Sequence, residues 1–228
     1  MLEQMRGLNT ESPQPILNRL RGFFFGLGGT SLKHKQITLI RHGALESDLD
    51  GCYVGHLDVP LSNEGQSQAR KLAERLTDQN IDCLWCSPSL RAQQTVAPIT
   101  ERLARPCTIK VQLNEVNFGR WEGLTFKEIC ATDPDLVDQW AKYSDDFCFP
   151  DGESQHDFQQ RVSEIAQQIH SHSGHLALVT HGGVIRALLC QLLGFTKQDY
   201  LKFEINRGSF ITLTIQDQHA VLTGLYND

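Results

Sequence analysis

Arg41-His42-Gly43 follows directly on the apolar run Ile37-Thr38-Leu39-Ile40, and far downstream Thr180-His181-Gly182-Gly183 follows on Leu176-Ala177-Leu178-Val179. Each unit delivers an imidazole where a buried strand ends and the chain must turn. The first also sets a permanently charged guanidinium beside the ring. A single Arg-His pair beside a strand is more often a surface feature. Two strand ends, each with a side chain that titrates near neutral pH, suit chemistry on a phosphoryl group.

The elements that must position these residues alternate from Gln36 onward. Apolar runs predict strands over 37–40, 81–86, 108–113 and 176–180. Between them lie amphipathic helices. The first follows Ser62, a plausible N-cap, and sets Ala69, Leu72, Ala73 and Leu76 on one face. Others span 89–104, 154–169 and 184–193, and 210–215 with 220–225 read as a closing hairpin around Gln216-Asp217-Gln218-His219. This rhythm predicts an α/β fold, a three-layer α/β/α sandwich with a mostly parallel central sheet. Residues 114–152 interrupt it with Gly119, Trp121, Gly123, Phe126, Trp140, Tyr143, Phe147 and Phe149, and read as a small helical insertion over the site. Ligands of open α/β sheets sit beyond the carboxyl ends of parallel strands, where His42 and His181 both fall. Each is followed by glycine and by an expected helix start whose N–H groups favour negative charge.

Composition sets the bounds. A chain of 228 residues, 40% hydrophobic and 21% charged, is enough for one well-buried domain. Its formal charge of −6 argues against nucleic acid as a partner, so an anion site must be a local cationic pocket. Residues 1–35 read apart from the rest, with five basic and two acidic side chains, and are expected to be a poorly ordered N-terminal extension to a domain at 36–228. A frayed tail or a misplaced start accounts for them; the rival is a docking helix using Ile16, Leu17, Leu20 and Phe23. No apolar stretch is long enough for an integral membrane segment. Seven scattered cysteines fit reduced thiols of a cytoplasmic protein, and Cys83-x-x-Cys86 lacks the second pair of a zinc site. His170, His172 and His175 form the other histidine cluster, which reads as a solvated turn rather than a metal patch.

Taken in order, Arg41-His42-Gly43, Gly51-Cys52-Tyr53-Val54-Gly55-His56-Leu57-Asp58-Val59-Pro60-Leu61-Ser62, Ser87-Pro88-Ser89-Leu90-Arg91, Leu113-Asn114-Glu115-Val116-Asn117-Phe118-Gly119-Arg120-Trp121-Glu122-Gly123, Gly152-Glu153-Ser154 with Arg161-Val162, and Thr180-His181-Gly182 resemble the histidine phosphatase superfamily, also called phosphoglycerate-mutase-like. The resemblance runs from about residue 36 to 226. It implies that His42 is the nucleophile, forming a phosphohistidine, and that Glu115 is general acid and then base. It implies also that Arg41 and Arg91 bind phosphate oxygens by forked hydrogen bonds, with Gly43 and Gly182 allowing close approach, and that His181 stabilises the transferring group. Glu115 needs a proton near neutral pH, which desolvation by Val116, Phe118 and Trp121 would favour. No metal and no other cofactor is expected, since two arginines and two histidines already offset the phosphate charge.

The implied substrate is a small-molecule phosphomonoester. Between Glu115 and His181 the basic residues are Arg120, Lys127, Lys142 and Arg161, with no adjacent arginine pair to grip a second acid group. This favours hydrolysis over a phosphoglycerate mutase. Among the phosphatases the resemblance is greatest to the α-ribazole phosphatases of cobalamin synthesis, carried by 50–56, 113–122, Leu192-Leu193-Gly194-Phe195 and 203–209. Phosphoserine or assorted sugar phosphates are the rival substrates, and a phosphate-ligand sensor without turnover is the rival class. Tyr53, Trp121 and Phe149 could face a benzimidazole, although packing is their default use. One departure stands out: Ala44 occupies the position where many relatives carry an acid or amide. Oligomeric state is not written in the sequence.

Overall fold

The computed structural model describes residues 34–142 and 144–227. The N-terminal extension read at 1–35 lies outside them except for its last two residues, and so do the docking helix read within it and Tyr143. Strand β1 (Lys35–Arg41) is followed by helix α1 (Asn63–Arg75), strand β2 (Cys83–Cys86), helix α2 (Leu90–Leu103) and strand β3 (Cys107–Ile109). Two short helices, α3 (Phe126–Thr132) and α4 (Pro134–Trp140), make the insertion. Helix α5 (Gln155–Ser171), strand β4 (His175–Thr180), helix α6 (Gly182–Leu193) and the hairpin β5 (Phe210–Gln216) and β6 (His219–Tyr226) complete the chain.

Among the described residues the strands form one sheet in the order β3-β2-β4-β1-β5-β6. The pairs β3·β2, β2·β4 and β4·β1 are parallel, while β5 runs antiparallel to both β1 and β6. Alternation along each strand feeds two cores. Ile37, Leu39, Leu176 and Leu178 pack with Val162, Ile165, Ile169, Ile185 and Leu188 of α5 and α6. Ile40, Leu84, Ala177 and Val179 pack with Leu72, Leu76, Val96 and Ile99 on the opposite face. Helices on both faces leave every residue of β4 buried, which is why its sequence is apolar without a break. The register pairs Arg41 with Thr180, so His42 and His181 leave the sheet side by side.

Three local features differ from the sequence expectation. No helix starts after His42; the chain runs through a short 3-10 turn at Ser47–Leu49 and reaches α1 only at Asn63, where the Ser62 hydroxyl accepts from Gly65 N. The strand expected over 108–113 ends at Ile109, and a 3-10 turn at Val111–Leu113 lifts the chain off the sheet. That departure carries Glu115 toward α6. The closing turn is tighter than expected, with Asp217 and Gln218 both at positive φ (46° and 74°), as a two-residue hairpin of primed type requires.

Candidate active site

His42 is the first residue beyond β1 and is 4% exposed. Its N–H donates to Thr180 O at 3.0 Å, and its carbonyl accepts from Gly208 N at 2.9 Å, so neighbours on both sides fix its backbone. Ring Nδ1 lies 2.8 Å from Gly43 O. A carbonyl can only accept, so Nδ1 carries the proton and Nε2 keeps its lone pair. Burial first, then the charges of Arg91 and Arg41, hold this imidazole well below the ordinary histidine range. It is neutral at pH 7.

His181 occupies the N-cap position of α6 and is fully buried, its ring centroid 5.2 Å from that of His42. Here Nε2 is the bonded nitrogen, 2.9 Å from Ser87 Oγ, and Ser87 in turn donates to Asn114 Oδ1 at 3.0 Å. Burial and the neighbouring Arg91 and His42 push this ring down as well. The Nδ1 atom has no hydrogen-bond partner within the protein, nor do the buried Nε atoms of Arg41 and Arg91. An oxyanion is the ligand class that accepts from two guanidinium N–H groups at once.

Arg41 is anchored by Nη1 donating to Ile205 O at 2.6 Å, and burial lowers it to about 10, which leaves it cationic at neutral pH. Arg91, on the first turn of α2, is entirely buried. Its Nη groups donate to the carbonyls of Val54, Gly55 and Leu57. Gly43 donates to Thr95 Oγ1 at 3.1 Å, and a methyl group on it would lie 2.6 Å from Gly65 O, so the loop after β1 rests directly on the start of α1. Gly182 opens α6 beside the Arg41 guanidinium, whose Cζ would be 3.2 Å from an added Cβ.

Glu115 is 9% exposed, with Oε2 accepting from Gly183 N at 2.9 Å and Oε1 from Val116 N at 3.1 Å. Its surroundings differ from the apolar wall read from the sequence. Trp121 instead packs on Trp140, Phe147 and Phe149 and donates Nε1–H to Asp133 at 2.8 Å. Phe118 sits edge-on to Tyr53 and Phe149. Trp121 and Phe149 are fully buried in the core beneath α5, which is the packing reading, while Tyr53 and Phe118 are half-buried against it.

Several positioning residues escaped the sequence reading. Arg161 donates to the carbonyls of Gln112, Asn114 and Glu115 and pairs with Glu153, holding the segment that carries Glu115. Both lie in matched motifs, but no role followed from them. Glu122 accepts from the N–H groups of Gly55, His56, Leu57 and Phe118. The loop at 54–57 is therefore gripped by its carbonyls through Arg91 and by its N–H groups through Glu122. Gly183 both donates to Glu115 and leaves room for it, since an added Cβ would lie 2.3 Å from Oε1; the doubled glycine was the available signal. At Ala44 the backbone N–H donates to Gln68 Oε1, and the space alongside is a cleft of about 530 Å³ where Arg207 pairs with Asp50 at 2.8 Å.

The second histidine cluster is more buried than a solvated turn. His175 Nε2 lies 2.8 Å from Thr38 Oγ1, and His172 stands edge-on to Trp85. All seven cysteines are free thiols; Cys86 and Cys190 are buried and Cys148 is exposed. No helix among the described residues is long and apolar enough to cross a membrane.

The sequence model of the histidine phosphatase superfamily (branch 1) matches residues 37–228. The adenosylcobalamin/alpha-ribazole phosphatase of Escherichia coli is 29% identical over 189 residues, spanning 82% of this chain and 93% of that protein. Phosphoserine phosphatase 1 of Hydrogenobacter thermophilus is 26% identical over 192 residues, 83% of this chain and 91% of that one. The crystal structure of the alpha-ribazole phosphatase from Shigella flexneri superposes with a TM-score of 0.76 at 29% identity, covering 84% of this chain and 96% of its own.

Proposed function

The chain belongs to the histidine phosphatase superfamily, and on that premise we propose that it hydrolyses a phosphomonoester through a phosphohistidine at His42, with α-ribazole 5′-phosphate as the physiological ester. One observation carries the mechanism: Gly43 O holds the Nδ1 proton of a neutral His42, so the Nε2 lone pair is free between two arginines with unpaired Nε–H groups. Nε2 attacks phosphorus as the P–O bond to the leaving group breaks, and Glu115 gives its proton to the departing oxygen. Glu115, now a carboxylate, removes a proton from water; the water oxygen attacks phosphorus, and the P–N bond breaks to return neutral His42 and phosphate. Arg41, Arg91 and His181 hold the three non-bridging oxygens through both steps.

Glu115 enters the first step as the acid, and the proton it gives up is restored by the water of the second step. The choice of α-ribazole 5′-phosphate rests on the likeness to the Escherichia coli and Shigella flexneri enzymes. Phosphoserine is the competing ester because a relative of similar identity is a phosphoserine phosphatase. Ranking the two esters and common sugar phosphates by kcat/KM tests the substrate. Acid-quenching the protein after incubation with labelled ester tests the chemistry: acid-labile phosphate at His42 is expected, and its absence under trapping conditions overturns the mechanism.

A further inference from the structure

The 3-10 turn at Lys197–Lys202, which follows α6, brings Tyr200 back over the start of that helix. A Cβ added to Gly183 would lie 2.3 Å from Glu115 Oε1 and 2.8 Å from the Tyr200 hydroxyl, so carboxylate and phenol converge on one point. Tyr200 packs against the core beneath α6, and Arg186 lies 5.7 Å over its ring, its Nε donating to Phe203 O and its guanidinium also bonding the phenol oxygen, which leaves the phenol its own proton to give. Burial and the adjacent Glu115 charge push the phenol above its ordinary range, so it stays protonated throughout the neutral region. Neither the matched motifs nor the mechanism above uses this residue.

Glu115 must alternate between carboxylic acid and carboxylate in every turnover. Its two backbone partners, Gly183 N–H and Val116 N–H, can only donate and so suit the carboxylate alone. Arg41 and Arg91 face it as fixed cations, while Arg161 holds its backbone carbonyl. None of these can accept a hydrogen bond from the acid form. A phenolic hydroxyl differs, because it can donate to a carboxylate and accept from a carboxylic acid. We propose that Tyr200 is a positioning residue for Glu115, its hydroxyl following that side chain through both protonation states and keeping the acid form aimed at the leaving oxygen. This deepens the phosphatase reading and rests on it.

Tyr200→Phe removes the hydroxyl and keeps the ring. Expected is a loss of kcat of about tenfold for alkyl phosphates and less than about twofold for p-nitrophenyl phosphate, whose leaving group needs no proton. The basic limb of the pH–rate profile moves to higher pH, because donation to the carboxylate is the stronger of the two bonds lost, and the carbon-13 NMR titration of the Glu115 carboxyl moves the same way, a readout that does not require activity. In a Glu115→Gln background the same substitution costs nothing further. Equal losses across leaving groups with an unmoved pH limb, or a full loss in the Gln background, overturn the proposal. Should Tyr200→Phe fail to fold, 3-fluorotyrosine at position 200 keeps the shape and changes the acidity of the phenol; an unchanged pH limb then overturns it equally. Failure of the wild-type protein on every ester, with the NMR titration still responding to Tyr200→Phe, would discard the phosphatase reading and keep the Tyr200–Glu115 coupling.

Discussion

The two strand ends that deliver His42 and His181 are alike in sequence and opposite in wiring. Both rings are buried, both are neutral, and they leave adjacent parallel strands in register. At β1 the bonded nitrogen is Nδ1, the partner is the next residue's carbonyl, and Nε2 is left with its lone pair. At β4 the bonded nitrogen is Nε2, the partner is the Ser87 hydroxyl, and Nδ1 has no partner. The chain after each ring differs too: a loop braced by α1 follows His42, whereas α6 starts directly at Gly182. A histidine-glycine pair thus supplies an imidazole, and the group that takes one ring nitrogen decides what the other can do.

Breaking the first wiring should have the largest effect. His42→Ala is expected to lower kcat by at least about 10⁴-fold and to abolish acid-labile label, as loss of a nucleophile does. His181→Ala should cost about 10²–10³-fold, the scale of one transition-state donor, with label still forming slowly in a quench-flow experiment. Equal losses would mean that the two rings share one task. Ser87→Ala frees Nε2 of His181 without removing the ring; about tenfold in kcat is expected, with the acid limb set by His42 unmoved.

Protonation sharpens the contrast. Ser87 gives its own proton to Asn114, so it accepts from His181 Nε2–H and leaves Nδ1 of the neutral ring bare. His181 can donate to a phosphate only after taking up a proton, which a dianion beside it favours. Phosphate binding at pH 7 should therefore be accompanied by net proton uptake, measured by calorimetry in buffers of different ionisation enthalpy, and Ser87→Ala should change its size. His42 stays neutral, so the acid limb of kcat/KM lies below the ordinary histidine value of about 6.5. Stability shows the same sign. Rings held neutral in the fold protonate more readily in the unfolded chain, so stability is present at and above pH 6.5 and is lost as pH falls toward their folded values. Denaturant midpoints from pH 7.5 to 5 test this, and His42→Ala should flatten the slope.

What the sequence disclosed follows a physical divide. Strands buried on both faces and helices with one apolar stripe wrote their positions in their own spacing, as β4 and α5 do. The two imidazoles were readable because strand ends are readable. Glu122 and Arg161 were not, since they act on the backbone of loops distant in sequence, and no local pattern marks a carboxylate that will meet four N–H groups. The surroundings of Glu115 were misjudged for the same reason: Trp121 is near it in sequence, but its ring belongs to the aromatic core. After His42 the chain instead packs Gly43 against Gly65 of α1, a contact between residues distant in sequence that no local pattern marks.

The unpaired Nε–H groups of Arg41 and Arg91 bear on what happens once the reaction is over. Inorganic phosphate carries the same oxygens as the transferring group, so the hollow that accelerates cleavage also retains its product. Rising phosphate should slow turnover competitively and raise the melting temperature together, because a ligand bound only by the folded form stabilises it in proportion to the logarithm of its concentration. Orthovanadate, which can adopt the five-coordinate shape of the transfer step, should do both at far lower concentration.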